Sequence, residues 1–106
     1  MRNRLAAALS LTLLVAGSAM AAGSDGAAIY KKSCAMCHGP DGAGQTATGK
    51  SMKLRDLRSA EVQKQTDIEL TKIISGGKGK MPAFGKKLTT NDVESLIAFI
   101  HTIKSK

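Results

Sequence analysis

From Gly26 to Lys104 the apolar residues recur at helical rather than strand spacing, in three stretches parted by Gly-rich loops. The last stretch is the clearest. Val93, Leu96, Ile97, Ile100 and Ile103 fall three and four apart, which predicts one apolar stripe on a helix starting at Thr89 or Thr90. It ends near His101 to Lys104, where positive side chains suit the negative end of the helix dipole. Upstream, Thr66-Asp67-Ile68-Glu69 reads as a capping box, followed by Ile68, Leu70, Ile73 and Ile74 and stopped by Gly76-Gly77. The first helix is expected from about Gly26 to Cys37, with Ser24 or Asp25 as N-cap and Gly39-Pro40 as the stop. A short turn is expected from Ser59 through Glu61 and Val62, and residues 39–52 read as a loop. No stretch alternates apolar and polar residues, so the class is all-α, with three to four helices, no internal repeat and no interdomain linker. Gly26 and Tyr30 offer a small site beside a large ring where the last helix, through Phe99, can cross the first.

The chemistry is concentrated in Cys34-Ala35-Met36-Cys37-His38. This CxxCH run is the attachment pattern of a covalent c-type haem. Two cysteines three apart share one helical face and can both form thioethers, and the adjacent imidazole of His38 is placed to ligate iron. A redox disulfide would call for a strand-helix-strand setting, which the sequence lacks. Structural zinc would need Cys34, Cys37, His38 and the distant His101, without a second paired motif. A sixth iron ligand would separate an electron carrier from a ligand-binding haem protein. Met52, Met81 and His101 are the candidates, because Met1 and Met20 fall in the leader and Met36 lies between the attachment cysteines. Met81 is preferred: Gly76-Gly77-Lys78-Gly79-Lys80 can bring it across the distal face, and Pro82 stiffens the chain behind it. Met52 reads as a core residue and His101 as a partner of the helix dipole.

The amino terminus changes the picture of location. Arg2 and Arg4, an apolar run from Leu5 to Val15 and Ala19-Met20-Ala21 form a signal peptide cleaved after about Ala21. The run is shorter than the roughly 20 residues that span a bilayer, no later segment is long enough, and no cysteine stands at the cleavage point to carry a lipid. Residues 22–106 then form the mature domain, expected to be periplasmic and monomeric. Its aromatics are Tyr30, Phe84 and Phe99 alone, so a buried porphyrin would supply much of the core and couple cofactor to fold.

The formal charge is +8, and removing Arg2 and Arg4 leaves 14 basic against 8 acidic residues, or +6. Asp67, Glu69, Asp92 and Glu94 sit in first turns of predicted helices, where the dipole accounts for them. Lys78, Lys80, Lys86 and Lys87 flank Met81 and form a candidate docking rim for acidic partner proteins. Lys53, Arg55 and Arg58 are candidates to neutralise a haem propionate. No aromatic-basic interleaving or reader motif points to nucleic acid.

Together these residues resemble the small monohaem class I cytochromes c of the bacterial periplasmic, c6-like kind. The resemblance runs through Gly26 to Tyr30, Cys34 to Gly42, Gly77 to Phe84 and Leu88-Thr89. It implies one covalent haem c wrapped by the helices, thioethers at Cys34 and Cys37, iron ligation by His38 and Met81, and electron transfer rather than enzyme catalysis. The alternative is a haem sensor, ligand binder or weak peroxidase with an open or labile sixth site. One departure stands out: the family often has Gly-Pro-x-Leu, whose Pro carbonyl accepts from the ligand histidine, whereas here the nearest match is Gly49-Lys50-Ser51-Met52. The residue 50 carbonyl is the remaining candidate to orient His38.

Overall fold

Helix α1 (Gly26–Ser33) begins because Asp25 accepts from the N–H groups of Ala27 and Ala28 at 3.1 and 3.3 Å, satisfying donors that no helical carbonyl can reach. The computed structural model describes residues 25–104 and the isolated Thr12; the signal-peptide reading and Ser24 as N-cap otherwise lie outside the described residues. Five further helices follow: α2 (Ala35–His38), α3 (Ala47–Met52), α4 (Ala60–Gln63), α5 (Asp67–Gly76) and α6 (Thr90–Thr102). Among the described residues there is no strand beyond an isolated bridge between Lys78 and Met81, so the all-α class holds.

The capping box expected at Thr66 is made, and a second stands at Thr89. Thr66 and Glu69 exchange bonds at 3.1 and 3.0 Å, and Thr89 and Asp92 do so at 3.1 and 2.8 Å. Ser59 caps the short α4. Asp67, Glu69 and Asp92 occupy first turns as expected, while Glu94 lies further along α6.

Two expectations fail on local detail. The first helix does not run to Cys37, because Cys34, at φ −115, breaks it into α1 and α2. Residues 39–52 are not all loop: Thr46 caps α3, which the polar composition of that stretch concealed. These short pieces raise the described helix count above the three to four expected.

The core is where α1, α5 and α6 meet, and Tyr30, Leu70, Ile74, Val93, Leu96, Ile97 and Ile100 are all buried in it. Ile68 departs from its predicted apolar set and faces solvent at 71% exposure. The crossing of α1 and α6 is as the sequence implied. A Cβ on Gly26 would collide with the Ser95 carbonyl, so only glycine permits the approach. The Tyr30 and Phe99 rings then meet at 5.2 Å, tilted by 48°, within the range of favourable aromatic pairs. Gln63 pins α4 to the end of α6 by donating to the Leu57 and Ile100 carbonyls at 2.8 and 2.9 Å. Among the described residues no helix is long and apolar enough to cross a membrane.

Candidate functional site

The CxxCH segment is one tight turn. The N–H groups of Cys37 and His38 both donate to the Cys34 carbonyl, at 3.2 and 3.0 Å, and Gly39, at φ 83, ends the turn in a conformation that favours glycine. Cys34 and Cys37 are free and half-buried. Burial, with Cys37 beside it, pushes the Cys34 thiol up to about 11. Burial holds the His38 imidazole below its usual value, so at neutral pH it keeps a lone pair free for a metal.

Helix α3 supports this turn from outside. Thr46 Oγ1 donates to the Cys37 carbonyl at 2.6 Å and accepts from the Gly49 N–H at 2.8 Å. A Cβ on Gly49 would meet the Gly44 and Cys37 carbonyls, so α3 rests directly on backbone there. Thr46 was not expected to act at the site, and Gly49 was expected only as the start of the Gly49-Lys50-Ser51-Met52 segment; the polar T-x-x-G run was their signal. On the other side, the Tyr30 hydroxyl donates to the Gly39 carbonyl at 2.6 Å. Burial raises the Tyr30 phenol to about 12.

His38 opens on a cavity of about 550 Å³ that is also lined by Cys34 and Met81. Leu70, Ile74, Leu96 and Ile100 bring core surface to its walls. Met81 reaches it from a loop that is better anchored than its glycines suggested. Lys78 and Met81 exchange both backbone hydrogen bonds, at 3.1 and 2.9 Å, across a turn in which Gly79 has φ 57. Phe84 and Gly85 then donate to the Ile74 and Ser75 carbonyls at 2.9 and 3.1 Å, stitching the loop to the end of α5.

The other sequence candidates separate. Met52 also lines the cavity. His101 does not; its ring nitrogens lie 3.2 Å from Gln63 Oε1 and 3.3 Å from Asp67 Oδ1, which removes it as an iron ligand and as a fourth zinc ligand. Among the described residues no group of three or more His, Cys, Asp and Glu side chains is arranged to hold a metal ion. Met36 lies on the surface, 78% exposed. Lys78 and Lys80 line the cavity rim, while Lys86 and Lys87 lie beyond it, with Lys87 Nζ 6.0 Å from the centre of the Phe84 ring. Arg58 is engaged by Asp56 at 2.9 Å and Asp41 at 3.7 Å and is absent from the lining, so it is not positioned for a propionate.

The carbonyl of residue 50 does not orient His38. It accepts the Lys53 N–H at 3.3 Å, and His38 Nδ1 is buried with no hydrogen-bond partner among the described residues. With lysine at 50 in place of proline, that residue keeps its own N–H, which donates to Thr46 at 2.9 Å and holds it in the helix. The remaining chemistry fits a porphyrin: a neutral, half-buried imidazole, a thioether, a free thiol at the wall, an apolar lining and basic residues at the rim.

The family described as cytochrome c oxidase, cbb3-type, subunit III matches residues 21–100. Cytochrome c6 of Microcystis aeruginosa is 32% identical over 72% of this chain and 90% of its own length. The cbb3-type cytochrome c oxidase subunit FixP of Azorhizobium caulinodans is 30% identical over 77% of this chain, which spans only 27% of that longer protein. Among solved structures, the c-type cytochrome KustC0563 superposes with a TM-score of 0.71 at 32% identity, covering 76% of this chain and 99% of that one. The chain therefore belongs to the cytochrome c family shared by the cbb3-type and c6-like proteins, as a small monohaem cytochrome c that binds haem c covalently and serves electron transfer.

Proposed function

We propose that this cytochrome is a soluble periplasmic carrier that moves one electron at a time between redox complexes, with haem c joined through Cys34 and Cys37 and ligated by His38 and Met81. It performs no substrate chemistry of its own. The observation that carries this reading is that His38 and Met81, far apart in sequence, line one apolar cavity together with Cys34. When bound, haem c supplies a one-electron iron couple. The chain does the rest. The Cys34–His38 turn presents the thiols and imidazole from a single stretch of backbone, and the Lys78–Met81 hairpin holds a soft thioether that favours the ferrous state and raises the reduction potential. The apolar wall of Leu70, Ile74, Leu96 and Ile100 would keep water from the bound haem.

Lys78 and Lys80 at the cavity rim, with Lys86 and Lys87 beyond it, are all exposed and form the basic surface that docks an acidic patch on a partner. Periplasmic location rests on the leader pattern of Arg2, Arg4 and Ala19-Met20-Ala21.

A redox-titrated visible spectrum of the exported protein tests the reading. Low-spin haem with the ferric charge-transfer band of a thioether-iron bond is expected, with one haem's added mass on the denatured chain. A ferrous form that takes up carbon monoxide freely would overturn Met81 as ligand, and a bare polypeptide mass would overturn the haem assignment.

A further inference from the structure

The charged side chains lining the His38–Met81 cavity are all of one sign. Lys53, Arg55, Lys78 and Lys80 contribute, and no Asp or Glu does. A cavity otherwise lined largely by apolar residues suits a group that is hydrophobic over most of its surface and anionic at an edge.

Lys53 is distinguished by its backbone. Among the described residues it is the one non-glycine with positive φ, at φ 53 and ψ 49, where it ends α3 in the left-handed conformation that glycine or asparagine usually supplies. Its N–H satisfies the Gly49 and Lys50 carbonyls, a task glycine would perform with less strain. The cap therefore does not require a lysine, and strain held beside a cavity points to the side chain. The competing cations are differently engaged: Arg55 pairs with Glu61 at 3.3 Å, and Arg58 is held outside by Asp56 and Asp41. Among the described residues no carboxylate pairs with Lys53.

We propose that Lys53 anchors a propionate carboxylate of the haem, fixing the porphyrin's orientation in the cavity and raising its reduction potential. This rests on the haem reading above. A propionate without a countercharge favours the more positive ferric iron, so an ammonium beside it shifts the balance toward the ferrous form.

The test uses the holoprotein with Lys53→Gly, which relieves the left-handed strain while deleting the ammonium. The thermal midpoint should hold or rise, while the reduced-to-oxidised ratio at a fixed ambient potential should fall about fivefold. Lys53→Arg should restore the ratio. Lys72→Gln, which removes a charge from the groove between α5 and α6, should leave it unchanged. A ratio in Lys53→Gly within twofold of the parent, with haem content and spectrum intact, would overturn the proposal. So would an equal fall in Lys72→Gln, since any charge would then serve. Failure of the haem reading is separately visible, because the parent would then carry no haem in denaturing mass spectrometry.

Discussion

Tyr30 on α1 donates its hydroxyl hydrogen to the Gly39 carbonyl at 2.6 Å, which ties the helix crossing to the residue that follows His38. The same carbonyl also accepts the Gly42 N–H at 3.2 Å, so it would not be orphaned by loss of the phenol. Tyr30→Phe keeps the ring against Phe99 and should cost about 1 kcal/mol, the worth of an ordinary hydrogen bond, in denaturant titration of the holoprotein. The phenol also makes a pH prediction. Its acidity is shifted from the ordinary 10.0 to about 12 in the fold, so the folded state holds this proton more tightly than the unfolded chain. Its contribution is complete below the unfolded value and is lost as pH rises through the folded one. Between those values the parent should lose stability more steeply than Tyr30→Phe.

Two glycines make opposite predictions. Gly26→Ala forces a methyl into the Ser95 carbonyl and should destabilise by about 1–3 kcal/mol, as overpacking does. Gly76, the last residue of α5, has nothing within 4 Å of a Cβ and no positive φ. Gly76→Ala should stabilise by about 0.4–1 kcal/mol through the unfolded chain. Paired thermal melts check both.

Met81→Ala should lower the reduction potential, abolish the ferric charge-transfer band and admit carbon monoxide to the ferrous protein. A parent-like spectrum and potential would show that Met81 does not ligate. Gly77 holds φ 77, and a Cβ there would lie 2.8 Å from the Met81 carbonyl oxygen. Gly77→Ala should therefore displace the hairpin and reproduce part of the Met81→Ala phenotype, read from the amplitude of the same band.

The lysine rim is tested without a natural partner. Stopped-flow oxidation of the ferrous protein by ferricyanide, an anion, should slow as ionic strength rises, and a cationic cobalt oxidant should show the reverse. Changing Lys78, Lys80, Lys86 and Lys87 to Gln together should flatten the ferricyanide dependence. Rates indifferent to salt in the parent would remove the steering role.

Which features were readable from residues alone follows from the range of the contacts that make them. The capping box of Thr66 and Glu69 was legible because the two residues are three apart and satisfy each other within one turn, whereas the equivalent exchange between Thr89 and Asp92 came only with the structure. The stripe on α6 was legible because burial of Val93, Leu96, Ile97 and Ile100 repeats at the helical period. Helix α3 escaped notice because Ala47–Met52 has no apolar stripe; its support comes from Thr46 bonding to Cys37 and from Gly49 resting on Gly44. The Met81 loop read as flexible for the same reason. Its glycines are visible in the chain, whereas the bonds from Phe84 to Ile74 and Gly85 to Ser75 that restrain it are not.

Cys34, Cys37 and His38 announce their chemistry in a linear reading, since covalent spacing holds thiols and imidazole together whatever the remaining chain does. Folding was needed to bring Met81 to the same cavity, to send His101 to Gln63 and Asp67 instead, and to leave Lys53 lining the cavity while Arg58 is taken up by Asp41 and Asp56. These outcomes depend on how α1, α5 and α6 pack, and such packing is a sum over many distant apolar contacts that no local pattern of residues encodes.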